Sequence, residues 1–131
     1  MRNADRNRVD TLSIALTILD MVRAEATRLG DPQVLAVHVR VGPLTGVMAD
    51  ALRTSFRNAT EFTPLKRTIL VVEETPLEAR CLSCNVVRRI ASVQHLCCPA
   101  CGSPTPDITA GRDLELVEIE FDDLPEDQAS A

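Results

Sequence analysis

The stretch "CLSCNVVRRIASVQHLCCPACGS", Cys81 to Ser103, decides how this chain is organised. It holds all five cysteines of the sequence: Cys81, Cys84, Cys97, Cys98 and Cys101. Four of them form the pattern C-x2-C-x13-C-x2-C. A tight C-x2-C turn sets two sulfurs within reach of one ion, and two such knuckles complete a tetrahedral shell of four sulfurs. Pro99 and Gly102 shape the second turn, and Gly102 can adopt the positive φ that such turns need. The spacing predicts a structural zinc held by Cys81, Cys84, Cys98 and Cys101. An iron-sulfur or rubredoxin-like iron site uses the same four sulfurs, and a thiol–disulfide pair uses the same residues, so these stay open on spacing alone. Four thiolates leave no position for water, which argues against a catalytic zinc. Cys97 adjoins Cys98 and reads as a small, partly buried thiol. His95 reads as a loop histidine.

Residues 79–106 around these knuckles carry Arg80, Arg88 and Arg89, no acidic residue and few large apolar groups. Such a segment cannot offset its chain entropy by burial alone and needs a metal or a cross-link. It is therefore expected as a zinc-binding domain, 79–106, inserted into a larger one. Three arginines suggest a nucleic-acid module. With zinc bound, however, the net charge of the insert is only about +1, and no aromatic is present for base stacking.

The flanking sequence supplies the larger domain. Leu12, Ala15, Leu19, Val22, Ala26 and Leu29 recur at helical spacing, with Leu16, Ile18 and Met21 widening the face. Asp10 or Thr11 can cap this helix, and Gly30 followed by Asp31-Pro32 ends it. "VLAVHVRVG", Val34 to Gly42, alternates with period two and reads as a half-buried strand. His38 falls on its polar face and reads as plain surface. A second helix is expected through "MADALRTSFRNA", with Ala49, Leu52, Phe56 and Ala59 inward. "EFTPLK" connects it to a second strand, Lys66 to Glu74. "GRDLELVEIEF", Gly111 to Phe121, gives a third strand. There Leu114 and Leu116 are out of phase with Val117, Ile119 and Phe121, which a β-bulge would repair.

The expected architecture is α+β: two helices packed on a small three-stranded sheet, with an inserted four-cysteine zinc-ribbon domain. Residues 9–78 plus 107–122 form the α+β domain, 1–8 a flexible N-terminal extension, and 123–131 an acidic, disordered tail. The chain has 131 residues, enough for one such core, and 45% of them are apolar. Only 2% are aromatic, so the core must be aliphatic. A formal charge of −5 excludes a general nucleic-acid binder. No apolar run spans a bilayer, and no signal peptide opens the chain, so a cytoplasmic protein without a membrane partner is expected. In that compartment cysteines serve metals more often than disulfides.

This order of elements, with "LSIA" at Leu12–Ala15, "VHVRVGPLTGV", "CLSC", "CPACGS" and "GRDLELVEIEF", resembles the HypA-type nickel metallochaperones of [NiFe]-hydrogenase maturation. The resemblance runs from about Val9 to Phe121. It implies a structural zinc domain and an N-terminal domain that holds nickel transiently. Its implied partners are a [NiFe]-hydrogenase large subunit and a maturation GTPase. Members typically begin "MHELSIA", where the His is a nickel ligand. Here Val9 stands at that Met, Asp10 at that His and Thr11 at that Glu. Asp10 is thus the residue at the family's nickel position, and a helix N-cap in its own right. A carboxylate is a harder ligand for Ni(II) than an imidazole. The alternative is a HypA-like zinc-ribbon scaffold or complex subunit that has lost nickel binding. Neither reading needs an enzyme: no phosphate loop and no paired nucleophile and base are present. The half-exposed strands leave room for a homodimer or for a stable place in a complex.

Overall fold

The computed structural model describes residues 10–122. The expected extension at 1–8 and tail at 123–131 lie outside them. The elements are α1 (Thr11–Arg28), β1 (Val34–Val41), a 3-10 turn (Pro43–Thr45), α2 (Ala49–Thr60), β2 (Ile69–Glu74), β3 (Leu77–Cys81), β4 (Val86–Ile90), β5 (Asp107–Ala110) and β6 (Leu114–Phe121). They form two three-stranded sheets, in the orders β2-β1-β6 and β4-β3-β5. Among the described residues no helix is long and apolar enough to cross a membrane.

The chain divides into two compact units. The first comprises residues 10–39, 48–72 and 116–122 of the described chain. Its longest element, α1, begins at Asp10, whose carboxylate accepts from the Ser13 backbone N–H (3.1 Å) and hydroxyl (2.7 Å). This satisfies one of the free donors at a helix start. The helix stops where Gly30 turns left-handed (φ 90°) and the Asp31 N–H reaches back to the Ala26 carbonyl at 2.7 Å. Its buried stripe is Ala15, Ile18, Leu19, Val22 and Ala26. Leu12, Leu16 and Met21, expected on or beside that face, are exposed instead. The helix buries only the residues that meet α2 and the sheet, a narrower arc than its apolar residues define.

Leu52 and Phe56 of α2 are buried against that stripe, together with Val37, Val39, Leu65 and Leu70. Thr60 is buried too, and its hydroxyl returns to the Phe56 carbonyl at 2.9 Å. Thr11 and Ser55 hydroxyls meet at 3.0 Å across the two helices. The segment expected as the start of the second strand, Lys66 to Thr68, is turn: Lys66 N–H donates to Thr63 O and Thr68 N–H to Leu65 O.

β6 settles the phase conflict seen in its sequence. Leu114 and Leu116 are half-buried, Val117 and Glu118 are both exposed, and Ile119 and Phe121 are half-buried again. The alternation shifts by one at Val117–Glu118, so Val117, expected inward, faces out while Ile119 and Phe121 keep their cover.

The second unit comprises 40–47 and 73–115 in the described chain. Its sheet was not expected strand by strand, because β4 shows almost no apolar alternation (Val86, Val87 and Arg89 are exposed). β3 is its centre. It pairs antiparallel with β4, Leu77 opposite Ile90 and Cys81 opposite Val86, and with β5, Ala79 opposite Ile108. Leu77, Ala79 and Ile90 form a small core, with Leu96 and Ile108 against it. In the same unit the Gly42 N–H donates to Asp113 O (3.0 Å) and the Leu44 N–H to Gly111 O (2.9 Å). A side chain on Gly42 would collide with the backbone of Gly111, so this crossing requires glycine.

Phe56→Ala removes a ring that is 1% exposed, and it should lower unfolding free energy by ~3–5 kcal/mol. Leu16→Ala, at 43% exposure, should stay within about 0.5 kcal/mol. Urea denaturation of both variants checks the assignment of the inner face.

Candidate metal centre

Cys81 is the last residue of β3, and Val86 opens β4 opposite it. The first knuckle is therefore the hairpin turn itself. The Asn85 N–H closes it on Cys81 O (2.6 Å), and the Cys84 N–H donates to the Cys81 sulfur (3.3 Å). Asn85 takes the left-handed conformation, φ 58°. The second knuckle repeats the device. The Gly102 N–H closes on Cys98 O (2.8 Å), and Gly102 has φ 78°. Each C-x2-C is thus followed by one left-handed residue, which turns the chain away and leaves the sulfurs pointing together. Gly102 was legible in the sequence. Asn85 carried the same signal, since Asn is the residue after Gly that best tolerates this region.

The four sulfurs of Cys81, Cys84, Cys98 and Cys101 all lie within 4.8 Å of one another. Cys81 and Cys101 sulfurs are 3.5 Å apart, and those of Cys84 and Cys98 4.0 Å. A tetrahedral four-sulfur zinc centre with bonds of ~2.3 Å has S–S edges of ~3.8 Å. The donor set and its size fit such an ion. Cys81 and Cys98 are buried, Cys84 is half-buried and Cys101 is exposed, so the centre lies at the surface of its unit.

The cluster's electrostatics are divided. Hydrogen bonds from the Ser103 hydroxyl and backbone, together with Cys81, draw the Cys101 thiol down to about 6. Backbone N–H groups of Cys101 and Ala100 lower Cys98. Cys84 accepts a hydrogen bond from Arg88, which favours its thiolate. Its neighbours Cys101 and Cys81 outweigh that, and its thiol is pushed up to about 11. Four adjacent thiolates repel, and a dication at their centre removes the conflict.

Cys97 is exposed and not among the four sulfurs; its backbone bridges to Pro104. His95 is exposed and likewise apart from them. Arg88, noted in the sequence only as a positive charge, stands against the sulfurs of Cys84 and Cys98. Arg80 lies 4.0 Å from Asp107 across the sheet. Two of the insert's three arginines are thus engaged inside their own unit. Asp10 belongs to the other unit. Both its oxygens are engaged by Ser13, which holds its carboxyl below the usual carboxylate range. Among the described residues, the groups of three or more His, Cys, Asp or Glu with ligand atoms in reach do not include Asp10.

A second such group was missed by the sequence reading. His38, expected as plain surface, shares one point with Glu118 and Glu120.

A family model for HypA, described as a hydrogenase/urease nickel-incorporation metallochaperone, matches residues 11–121. The chain belongs to the HypA family. The hydrogenase maturation factor HypA of Chloroflexus aggregans is 43% identical over 109 residues, covering 83% of this chain and 96% of that protein. The hydrogenase maturation factor HypA of Roseiflexus sp. is 38% identical over 120 residues, covering 91% and 98%. The solution structure of the Ni metallochaperone HypA from Helicobacter pylori is similar in fold. Its TM-score is 0.59 at 20% identity, over 84% of this chain and 95% of that one. The match spans both units.

Gly102→Ala places a side chain in open space but at φ 78°. The expected cost is about 1–2 kcal/mol, confined to the cysteine unit. Asn85→Gly should cost nothing there. Thermal unfolding of the metal-loaded variants checks both.

Proposed function

We propose that this chain is a nickel metallochaperone of hydrogenase maturation that hands nickel to a [NiFe]-hydrogenase large subunit, together with a maturation GTPase. The observation that carries the reading is the family match over 11–121, with all four knuckle cysteines in place and converging. Cys81, Cys84, Cys98 and Cys101 hold a structural zinc, which supplies a closed, redox-inert cross-link for the second unit. The ring of donors is complete without water. This zinc is therefore a scaffold, and the nickel cargo is held elsewhere. The chain carries and delivers an ion and catalyses no reaction of its own, and it works in the cytoplasm, where the knuckle thiols stay reduced.

Within this reading Asp10 serves as the α1 cap. Its two oxygens are committed to Ser13, and a carboxylate is a poorer partner than imidazole for Ni(II). No observation favours the alternative of a scaffold that has lost nickel.

Metal analysis of the purified chain should find one zinc per chain. Cys84→Ala and Cys101→Ala should each lose it and expose residues 73–115 to protease, while the helical unit resists. Full zinc content and unchanged digestion in both variants would remove the zinc assignment.

Nickel titration by calorimetry separates the two roles of Asp10. Asp10→Ala should bind Ni(II) within about twofold of the parent, because losing even an outer partner of a metal ligand costs ~10–100-fold. Its thermal midpoint should fall at neutral pH. The capped carboxyl is held below its ordinary value, so its contribution is present above that value and is lost as pH falls through the lowered one. The gap between parent and variant should therefore close in acid.

A further inference from the structure

Among the described residues, the outer face of β1 and β6 carries the one cluster of metal-ligating side chains that the zinc centre does not use. β6 runs antiparallel to β1. The Gly42 N–H donates to Asp113 O beyond one end of the pair, and the Asp122 N–H to Gln33 O beyond the other, at 2.8 Å. His38 is half-buried between Val37 and Val39, which are both buried, so its ring lies on the opposite, solvent side of β1. The shifted alternation in β6 then decides what lies beside it. Had the strand kept the phase of Leu114 and Leu116, residues 118 and 120 would point inward. The slip at Val117 and Glu118 turns both glutamates outward instead, onto the face of His38. One imidazole nitrogen and one oxygen from each of Glu118 and Glu120 lie within 4.8 Å of one another. His38 Nε2 already meets Glu120 Oε2.

We propose that His38, Glu118 and Glu120 form a second metal site, which takes an exchangeable divalent first-row transition ion. The donor set selects the class. One imidazole with two carboxylates suits borderline ions such as Ni(II), Cu(II) and Zn(II). Calcium wants six to eight oxygens and finds two carboxylates here. Bringing Glu118 and Glu120 to one point costs like-charge repulsion, which a dication reverses. The three donors are fixed on two paired strands, so little ordering remains to be done on binding. Three protein donors on an exposed face leave the other positions to water. The ion is then held on one side only and can leave, in contrast to the closed four-sulfur centre. That is the property an exchangeable site needs. The inference concerns ion binding alone and does not depend on transfer to a hydrogenase.

The chain has two histidines, His38 and His95, so their ring nitrogens resolve by NMR. The probe is Zn(II), diamagnetic and of the right class, added to chain whose four-cysteine centre is already zinc-loaded. The expected result is a saturable shift of the His38 ring nitrogen at one further equivalent, with Ca(II) giving none. The midpoint should rise at least tenfold in E118Q/E120Q. A His38 ring that does not shift, that responds equally to Ca(II), or that shifts with the parent midpoint in E118Q/E120Q overturns the site. All these positions face solvent, and far-UV circular dichroism establishes that the variant is folded. Nickel delivery to a client, measured separately, tests the chaperone reading and can fail without touching this result.

Discussion

The second unit depends on one constraint: four thiolates must occupy one small volume. Its apolar core is Leu77, Ala79 and Ile90 with Leu96 and Ile108 at the margin, far less than a segment of this length needs to fold by burial. The backbone is arranged to bring the sulfurs together regardless, through two knuckles that each end in a left-handed residue, Asn85 and Gly102. Four thiolates at this spacing repel, and the sulfurs are unequal: Ser103 draws Cys101 down to about 6, while against the pull of Arg88 its neighbours Cys101 and Cys81 push Cys84 up to about 11. A dication converts that repulsion into attraction. On the proposed zinc reading, folding of the unit and binding of its ion are one event.

The first unit depends on no such ion. Ala15, Ile18, Leu19, Val22 and Ala26 of α1, with Leu52 and Phe56 of α2, give it a continuous aliphatic core with a single ring in it. This is what a chain with 2% aromatics can build. Small residues at Ala15 and Ala26 let the helix approach closely, and Phe56 fills the remaining volume. The two units therefore differ in what can hold them: a continuous apolar core in one, and in the other a small core beside four convergent sulfurs.

Much of this was legible beforehand. The 3–4 spacing from Leu12 to Leu29 placed α1 to within one residue at each end, and the alternation from Val34 placed β1. The convergence of the four cysteines was legible because C-x2-C spacing is a short-range property. What was not legible depended on partners distant in sequence. β4 carries Val-Val-Arg-Arg, with no alternation, and is a strand because β3 offers it a ladder. The exposure of Leu16 and Met21 follows from what α1 packs against, which its own periodicity cannot state. Arg88 read as one charge among three until the fold set it beside Cys84 and Cys98. His38 read as plain surface; it is half-buried, and its neighbours Glu118 and Glu120 are about 80 residues away in the chain.

That last case shows how a packing demand can set surface chemistry. Ile119 and Phe121 must face inward, and Leu114 and Leu116 must as well, yet the two pairs are separated by an odd number of steps. A strand with period two can satisfy both only if its alternation shifts by one. The shift falls at Val117 and Glu118, the point where β6 passes His38. Everything beyond it is reversed, so the glutamates that an unbroken strand would have driven into the core are delivered to the one histidine on the sheet's outer face. A carboxylate buried there would have been costly. Displayed beside an imidazole it becomes a ligand, and the same irregularity that protects the core assembles the donors outside it.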